Sequence, residues 1–474
     1  MENEVKTTIN SDGEKVYDPV DHSLGTLPIG VLLLRMSVPM MISMFIMACY
    51  NVVDSIFVAK ISENALSALS LAYPVQFLMI ALNIGTNVGV GTLISRSLGE
   101  RNFKYANRYA RHGILLALFY YIIFLLLGIF FTKLYFTHVT PNTEIQALGI
   151  EYLSIVMIFS IGSLFEATTA RMMQSTGLSI WAMATQLTGA FFNIIFDPIL
   201  IFGVSGIPAM GVKGAAIATV LGQILAGSTG LILNHIKNKS IKIEFFKLKF
   251  SFKIIKNIYK IGIPSIVMQS ISSFMIFGLN MILIKYESAV AILGIYYKMQ
   301  SFIFMPVLGL NNGMMPIVAY NLGAKRKDRI IKVTKIAITA AIIIMLFGTM
   351  LFELIPNIIF RLFSASDTML EKGVYAFRIV ALHFVIVGPN IILSTVMQAC
   401  KKEMYSLIAS VIRQIGALLP SAFILSKLFG YNGVWWCFLI SETIAFIIIL
   451  ILYKKTYDTE ISTLVYVAPK DTAR

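Results

Sequence analysis

The sequence is poor in the residues that soluble proteins use most freely. Charged residues fill 13% of its 474 positions, against about a quarter in an ordinary soluble domain. It has three cysteines, Cys49, Cys400 and Cys437, far apart and each in apolar context. That excludes a disulfide framework and any cysteine-based metal ribbon. It has no HExxH, GxSxG or P-loop pattern, so no motif supports a membrane-embedded enzyme or an ATP-driven pump. The first 26 residues lack the basic and apolar regions of a signal peptide. They read as a cytoplasmic tail with little order.

Apolar residues are abundant, at 57% of the chain. Several apolar runs exceed the roughly 18 residues that mark a membrane-spanning helix. Because the runs are continuous and do not alternate, a β-barrel is disfavoured. The fold class is an all-α polytopic membrane protein with twelve transmembrane helices. The net charge of +15 follows the topology. Lys and Arg cluster in alternate gaps: Arg96–Arg111, Lys237–Lys260, Lys325–Lys335, Lys401–Lys402 and Lys454–Lys455. The gaps between them, such as "VSGIPAMG" and "SASD", carry almost no basic residue. This positive-inside pattern puts the basic gaps and both termini in the cytoplasm. It argues for a membrane surface and against nucleic acid. The expected segments are a tail over 1–27, a first lobe over 28–236, a basic linker over 237–258, a second lobe over 259–455 and a tail over 456–474. The linker alternates Lys with Ile and Phe. It either lies along the inner leaflet or is a solvated loop.

The halves repeat. "Tyr73 … Asn87-Val-Gly89 … Leu98-Gly99" matches "Tyr297 … Asn311-Asn-Gly313 … Leu322-Gly323" without a gap. "Met172-Met173-Gln174" matches "Val396-Met397-Gln398", and Gly214 matches Gly433. Each repeat has an even number of spans, so the repeats are parallel. The expected architecture is two pseudo-symmetric six-helix lobes around a central cavity.

An ionisable group inside a span is a functional candidate by default. Asp197 is the strongest, in "NIIFDPILIFG". Asn193 lies one turn before it on the same face, and Pro198 frees backbone carbonyls nearby. Together they form an oxygen-rich cup able to hold Na⁺ or trade a proton. Asp54 is expected in the outer half of the same lobe, either sharing that cation or capping its helix. Glu442 is a candidate for a second-lobe site. Lys298 and Arg413 either neutralise acids or line the cavity, while His383 is either a satisfied core histidine or a relay. Glu166 and Arg171 are five residues apart, the wrong spacing for a close pair. Met40, Met44 and Met47 recur at helical spacing, as a cavity wall or as plain filler. Tyr50, Asn51 and Gln174 are further cavity candidates.

With these motifs in hand, the chain resembles the multidrug and toxin extrusion (MATE) family over nearly its full length, most closely its DinF-type, MepA-like bacterial branch. The marks are "Pro39 … Asn51-Val-Val-Asp54", "Gly85-Thr-Asn-Val-Gly89 … Ser95-Arg-Ser-Leu-Gly99" and "Asn193-Ile-Ile-Phe-Asp197-Pro198" followed by "Gly211-Val-Lys-Gly". The resemblance implies a secondary exporter in which Asp54, Asn193 and Asp197 bind H⁺ or Na⁺. Amphipathic, cationic organic substrates would leave in exchange. A family asparagine falls at Ala170 and a family threonine at Ala215, with Thr219 one turn on, which leans toward H⁺. No cofactor is expected. The chain should act as a monomer in the bacterial inner membrane. The rival is a flippase or exporter of a lipid-linked or metabolite precursor, which would gather Arg171, Lys298 and Arg413 in one cavity.

Overall fold

The computed structural model describes residues 7–9, 15–17, 23–204, 206, 208–242, 250–286, 288–363 and 366–465. The side chains of the first two segments, and those at 50–52, 54–56 and 59, lie outside the described residues. Within the tail, β1 (Thr7–Ile9) and β2 (Lys15–Tyr17) pair antiparallel, so that segment is not wholly without structure. Everything else described is helical or connecting turn.

A short helix, α1 (Ser23–Thr26), precedes the first long one, α2 (Ile29–Ala59). The first half continues with α3 (Glu63–Gly99), α4 (Phe103–Val139), α5 (Thr143–Ile158), α6 (Ile161–Ser175), α7 (Ser179–Phe202) and α8 (Gly211–Lys237). The second holds α9 (Phe252–Leu283), α10 (Ala289–Gly323), α11 (Lys327–Leu354), α12 (Pro356–Leu362), α13 (Asp367–Ala381), α14 (Phe384–Ala399), α15 (Glu403–Val411), α16 (Leu419–Val434) and α17 (Trp436–Thr456). Among the described residues, ten helical stretches are long and apolar enough to cross a membrane. Two bent pairs, α5–α6 at 46° and α13–α14 at 44°, bring the number to 12 if each pair is one span. The bends sit at equivalent places in the two halves. Short polar caps set the ends. Ser62 accepts from the Ala65 N–H and Asn142 from those of Glu144 and Ile145, satisfying first-turn donors.

The halves meet through small residues. A Cβ at Gly99 of α3 would lie 1.9 Å from the Tyr320 carbonyl oxygen of α10, and one at Gly323 2.2 Å from the Arg96 carbonyl oxygen. The same reciprocity governs the outer contacts. Gly85 sits on Gly262 and Ile266 of α9, and Gly309 on Met40 and Met41 of α2. Backbones come this close only where side chains are absent. The repeat in the sequence is therefore a repeat in packing, and it closes the two halves against each other at the basic-gap ends of α3 and α10. The Tyr120 and Tyr259 hydroxyls, 2.6 Å apart, bridge the same seam, with Thr86 3.1 Å from Tyr120.

Of the basic linker, residues 243–249 lie outside the described residues. Its flanks are tied to α4: the Lys242 N–H donates to Asn107 Oδ1 and the Ser251 N–H to His112 Nε2.

Candidate functional site

The first-half site is built by α7 and α8. Gly189 of α7 faces Ala226 and Gly222 of α8, and a Cβ at Gly222 would lie 3.4 Å from the Asn193 Cβ. This close packing lets short polar side chains reach across. Asn193 Nδ2 donates to Asp197 Oδ1 at 3.2 Å and to Thr219 Oγ1 at 3.3 Å. All three are buried, Asp197 completely. Asn193 Oδ1 is left without a hydrogen-bond partner among the described residues. A charge at mid-bilayer costs about 3 kcal/mol or more. A buried carboxylate held by the Asn193 amide N–H, with the amide oxygen free and the Thr219 hydroxyl on the same amide, is thus suited to carry a proton or a small cation. The sequence spacing placed Asn193 and Asp197 on one face. Thr219 was visible only as a fallback for Ala215, and the structure makes it the hydroxyl partner. Ala170 is buried in an apolar cluster with Met40, Met173 and Ala182, so no ligand stands there.

Other candidates fall differently. The side chains of Tyr50, Asn51 and Asp54 lie outside the described residues, although all three positions are helical in α2. Met40 is 1% exposed and packs in that apolar cluster, which corrects its reading as a cavity residue: the α2–α6–α7 contact covers it. Met44 is half-buried and Met47 exposed. Gln174 is buried, its Oε1 without a hydrogen-bond partner among the described residues. Lys298 is exposed, its ammonium 5.7 Å from the Phe363 ring centre.

In the second half, Arg413 Nη1 meets Glu442 Oε1 at 3.0 Å, and Asn390 Nδ2 donates to Glu442 Oε2 at 2.7 Å. Arg413 stands in a π-helical stretch, Ile412–Leu418, a distortion that re-aims side chains. Glu442 therefore carries its own counter-ion. Sequence alone could not pair Arg413, and it gave no sign of Asn390. His383 is buried, hydrogen-bonded to the Val380 carbonyl, with its ring against Phe384 and Phe438. The core reading of His383 fits.

The MatE family model matches residues 39–199 and 264–424, one stretch in each half. The chain belongs to the MatE family. As a MatE member it is a multi-pass membrane transporter and not an enzyme. The multidrug export protein MepA of Staphylococcus aureus (strain bovine RF122 / ET3-1) is 27% identical over 444 residues, 91% of this chain and 96% of that protein. MepA of Staphylococcus haemolyticus is 26% identical over 425 residues, 89% of this chain and 93% of that one. A solved structure described as an outward-facing conformation of a multidrug resistance MATE family transporter shares the fold. Its TM-score is 0.87 at 24% identity, covering 95% of this chain and 100% of that one. A transporter of Pyrococcus furiosus Vc1, described as having a binding pocket of reverse polarity, also matches. Its TM-score is 0.86 at 24% identity, over 95% and 99% of the two chains.

Proposed function

We propose that this MatE protein is a multidrug exporter that moves amphipathic organic cations out across the bacterial cytoplasmic membrane in exchange for H⁺ or Na⁺. The observation that carries the reading is the intramembrane Asn193–Asp197–Thr219 group. It offers a buried carboxylate and an unpartnered amide oxygen, with Asp54 as its proposed companion. A cationic substrate and a coupling cation that cannot occupy the lobe together give antiport by mutual exclusion. Alternating access would come from the first lobe (28–236) and second lobe (259–455) rocking about the glycine seam. Both termini and the linker would face the cytoplasm, and the protein would work as a monomer.

The flippase reading needs its basic residues in one place. Arg413 is held by Glu442, Lys298 sits beside Phe363, and the Arg171 stem lies against Gly91. That dispersal favours the cation exporter.

The test is efflux of ethidium from proteoliposomes under an imposed pH gradient and, separately, an imposed Na⁺ gradient. Asp197→Asn should abolish gradient-driven efflux while the protein stays folded. Undiminished coupled efflux in that variant would sink the role given to Asp197.

A further inference from the structure

The two halves place their polar groups differently at equivalent positions. Counting back equally from the matched Gln174 and Gln398 sets Glu166 on Asn390, and counting forward sets Gly189 on Arg413. The Gly214–Gly433 match sets Gln223 on Glu442. In the second half these positions form a closed set, with Glu442 bound by Arg413 and Asn390. In the first half the acid and the amide have traded helices. The guanidinium is replaced by the bare α-carbon of Gly189.

Packing confirms that α6 and α8 touch at this level. A Cβ at Gly162 would lie 2.6 Å from the Gln223 carbonyl carbon, and one at Gly227 3.4 Å from the Glu166 nitrogen. The half-buried Glu166 carboxyl makes no hydrogen bond or ion pair among the described residues. Gln223 Oε1 is buried without a hydrogen-bond partner among the described residues. Between the charged ends of the helices against α6 the ionisable groups are few: Asp197 on α7, Tyr73 on α3 between Glu63 and Arg96, Tyr120 and Tyr121 on α4 between His112 and Lys133, and none on α8 between Lys213 and His235. On α2, which meets α6 at Met40, they are Arg35, Cys49, Tyr50 and Asp54, the side chains of the last two lying outside the described residues. On α10 they are Tyr296, Tyr297, Lys298 and Tyr320. Arg171, on α6 itself, points its stem at Gly91 of α3. A carboxylate in a bilayer without a counter-ion takes up a proton or a cation. Thr219, Gln223 and Gly227 descend α8 turn by turn, so Glu166 lies about two turns, roughly 10 Å, inward of Thr219.

We propose that Glu166, with Gln223 Oε1 beside it, is a second cation-exchanging carboxylate of the first lobe, standing between the Asn193–Asp197–Thr219 group and the cytoplasmic side. This rests on the exchange reading above. For H⁺, the carboxylate binds one proton and later releases it; no bond to substrate forms.

The test compares Glu166→Gln, Glu166→Asp and Asp197→Asn in proteoliposomes. Glu166→Gln should still bind ethidium and exchange it against tetraphenylphosphonium without a gradient. It should lose gradient-driven efflux by about tenfold or more, with Glu166→Asp recovering part. Wild-type coupling in Glu166→Gln, or equal loss of exchange and coupled efflux, overturns the proposal. Wild-type coupling in Asp197→Asn beside a defective Glu166→Gln would instead sink the Asp197 reading alone. Should Glu166→Gln fail to fold, the wild-type protein is treated with dicyclohexylcarbodiimide, which modifies protonated carboxyls in apolar surroundings. Modification of Glu166, slowed at higher pH or by Na⁺, is expected. None in the folded protein overturns the proposal.

Discussion

Gly99 offers the sharpest test of how the halves close. A Cβ there would lie 1.9 Å from the Tyr320 carbonyl oxygen. An ordinary C···O contact is about 3.3 Å, so Gly99→Ala forces the two backbones apart by more than an ångström. Neither partner is a flexible side-chain end, so the strain cannot be shed by a rotamer change. Overpacking of this kind costs about 1–3 kcal/mol. The cost falls only on the state closed at the basic-gap ends of α3 and α10. The fold of each half is untouched, and alanine is a good helix residue at this position. A bias of that size shifts a two-state equilibrium by roughly 5- to 150-fold. The assay is electron–electron distance measurement between spin labels at Lys104→Cys and Lys332→Cys, both exposed positions on opposite halves, in a background with Cys49→Ser. Gly99→Ala should move the distribution to longer distances. Gly323→Ala should do the same, and the pair should be less than additive because they relieve one contact. Distributions identical to the parent would refute the reasoning.

Three further outcomes follow from other contacts. Arg413→Ala strands Glu442 in the bilayer and should cost about 3–5 kcal/mol; a lower Tm in detergent, largely restored by adding Glu442→Gln, is expected. Thr219→Ala removes one hydrogen-bond partner of Asn193, worth about 1 kcal/mol, and should raise the coupling-ion concentration for half-maximal efflux about fivefold. Lys402 lies outside the spans, 3.0 Å from Glu460, and that hydrogen bond raises its pKa. The pair's contribution is thus present below the unfolded lysine pKa and lost as pH rises through the folded one. Because both groups are partly solvated, it should also fade with added salt, which a pH and salt series of Tm would show.

Much of this protein is determined by the sequence alone. Length and hydropathy of single segments decide the spans, because the bilayer demands internal hydrogen bonding within each one. Alternating Lys and Arg gaps set the expected topology, and a gap-free internal match fixes the repeat. The spacing of Asn193 and Asp197 puts them on one face, since a helix turn is a local property. The bends within α5–α6 and α13–α14 were not legible as breaks in the apolar runs.

What faces what across helices was decided only by the tertiary structure. Thr219 reaches Asn193 because Gly189, Gly222 and Ala226 bring α7 and α8 together. Glu442 has Arg413 and Asn390 because three distant segments converge. Met40, one of a helical methionine series, is covered by Ala170 and Ala182, while Met47 stays exposed. Periodicity names a face but not its neighbour. The neighbour depends on which helices carry residues small enough to let backbones meet, and that is a property of pairs of helices.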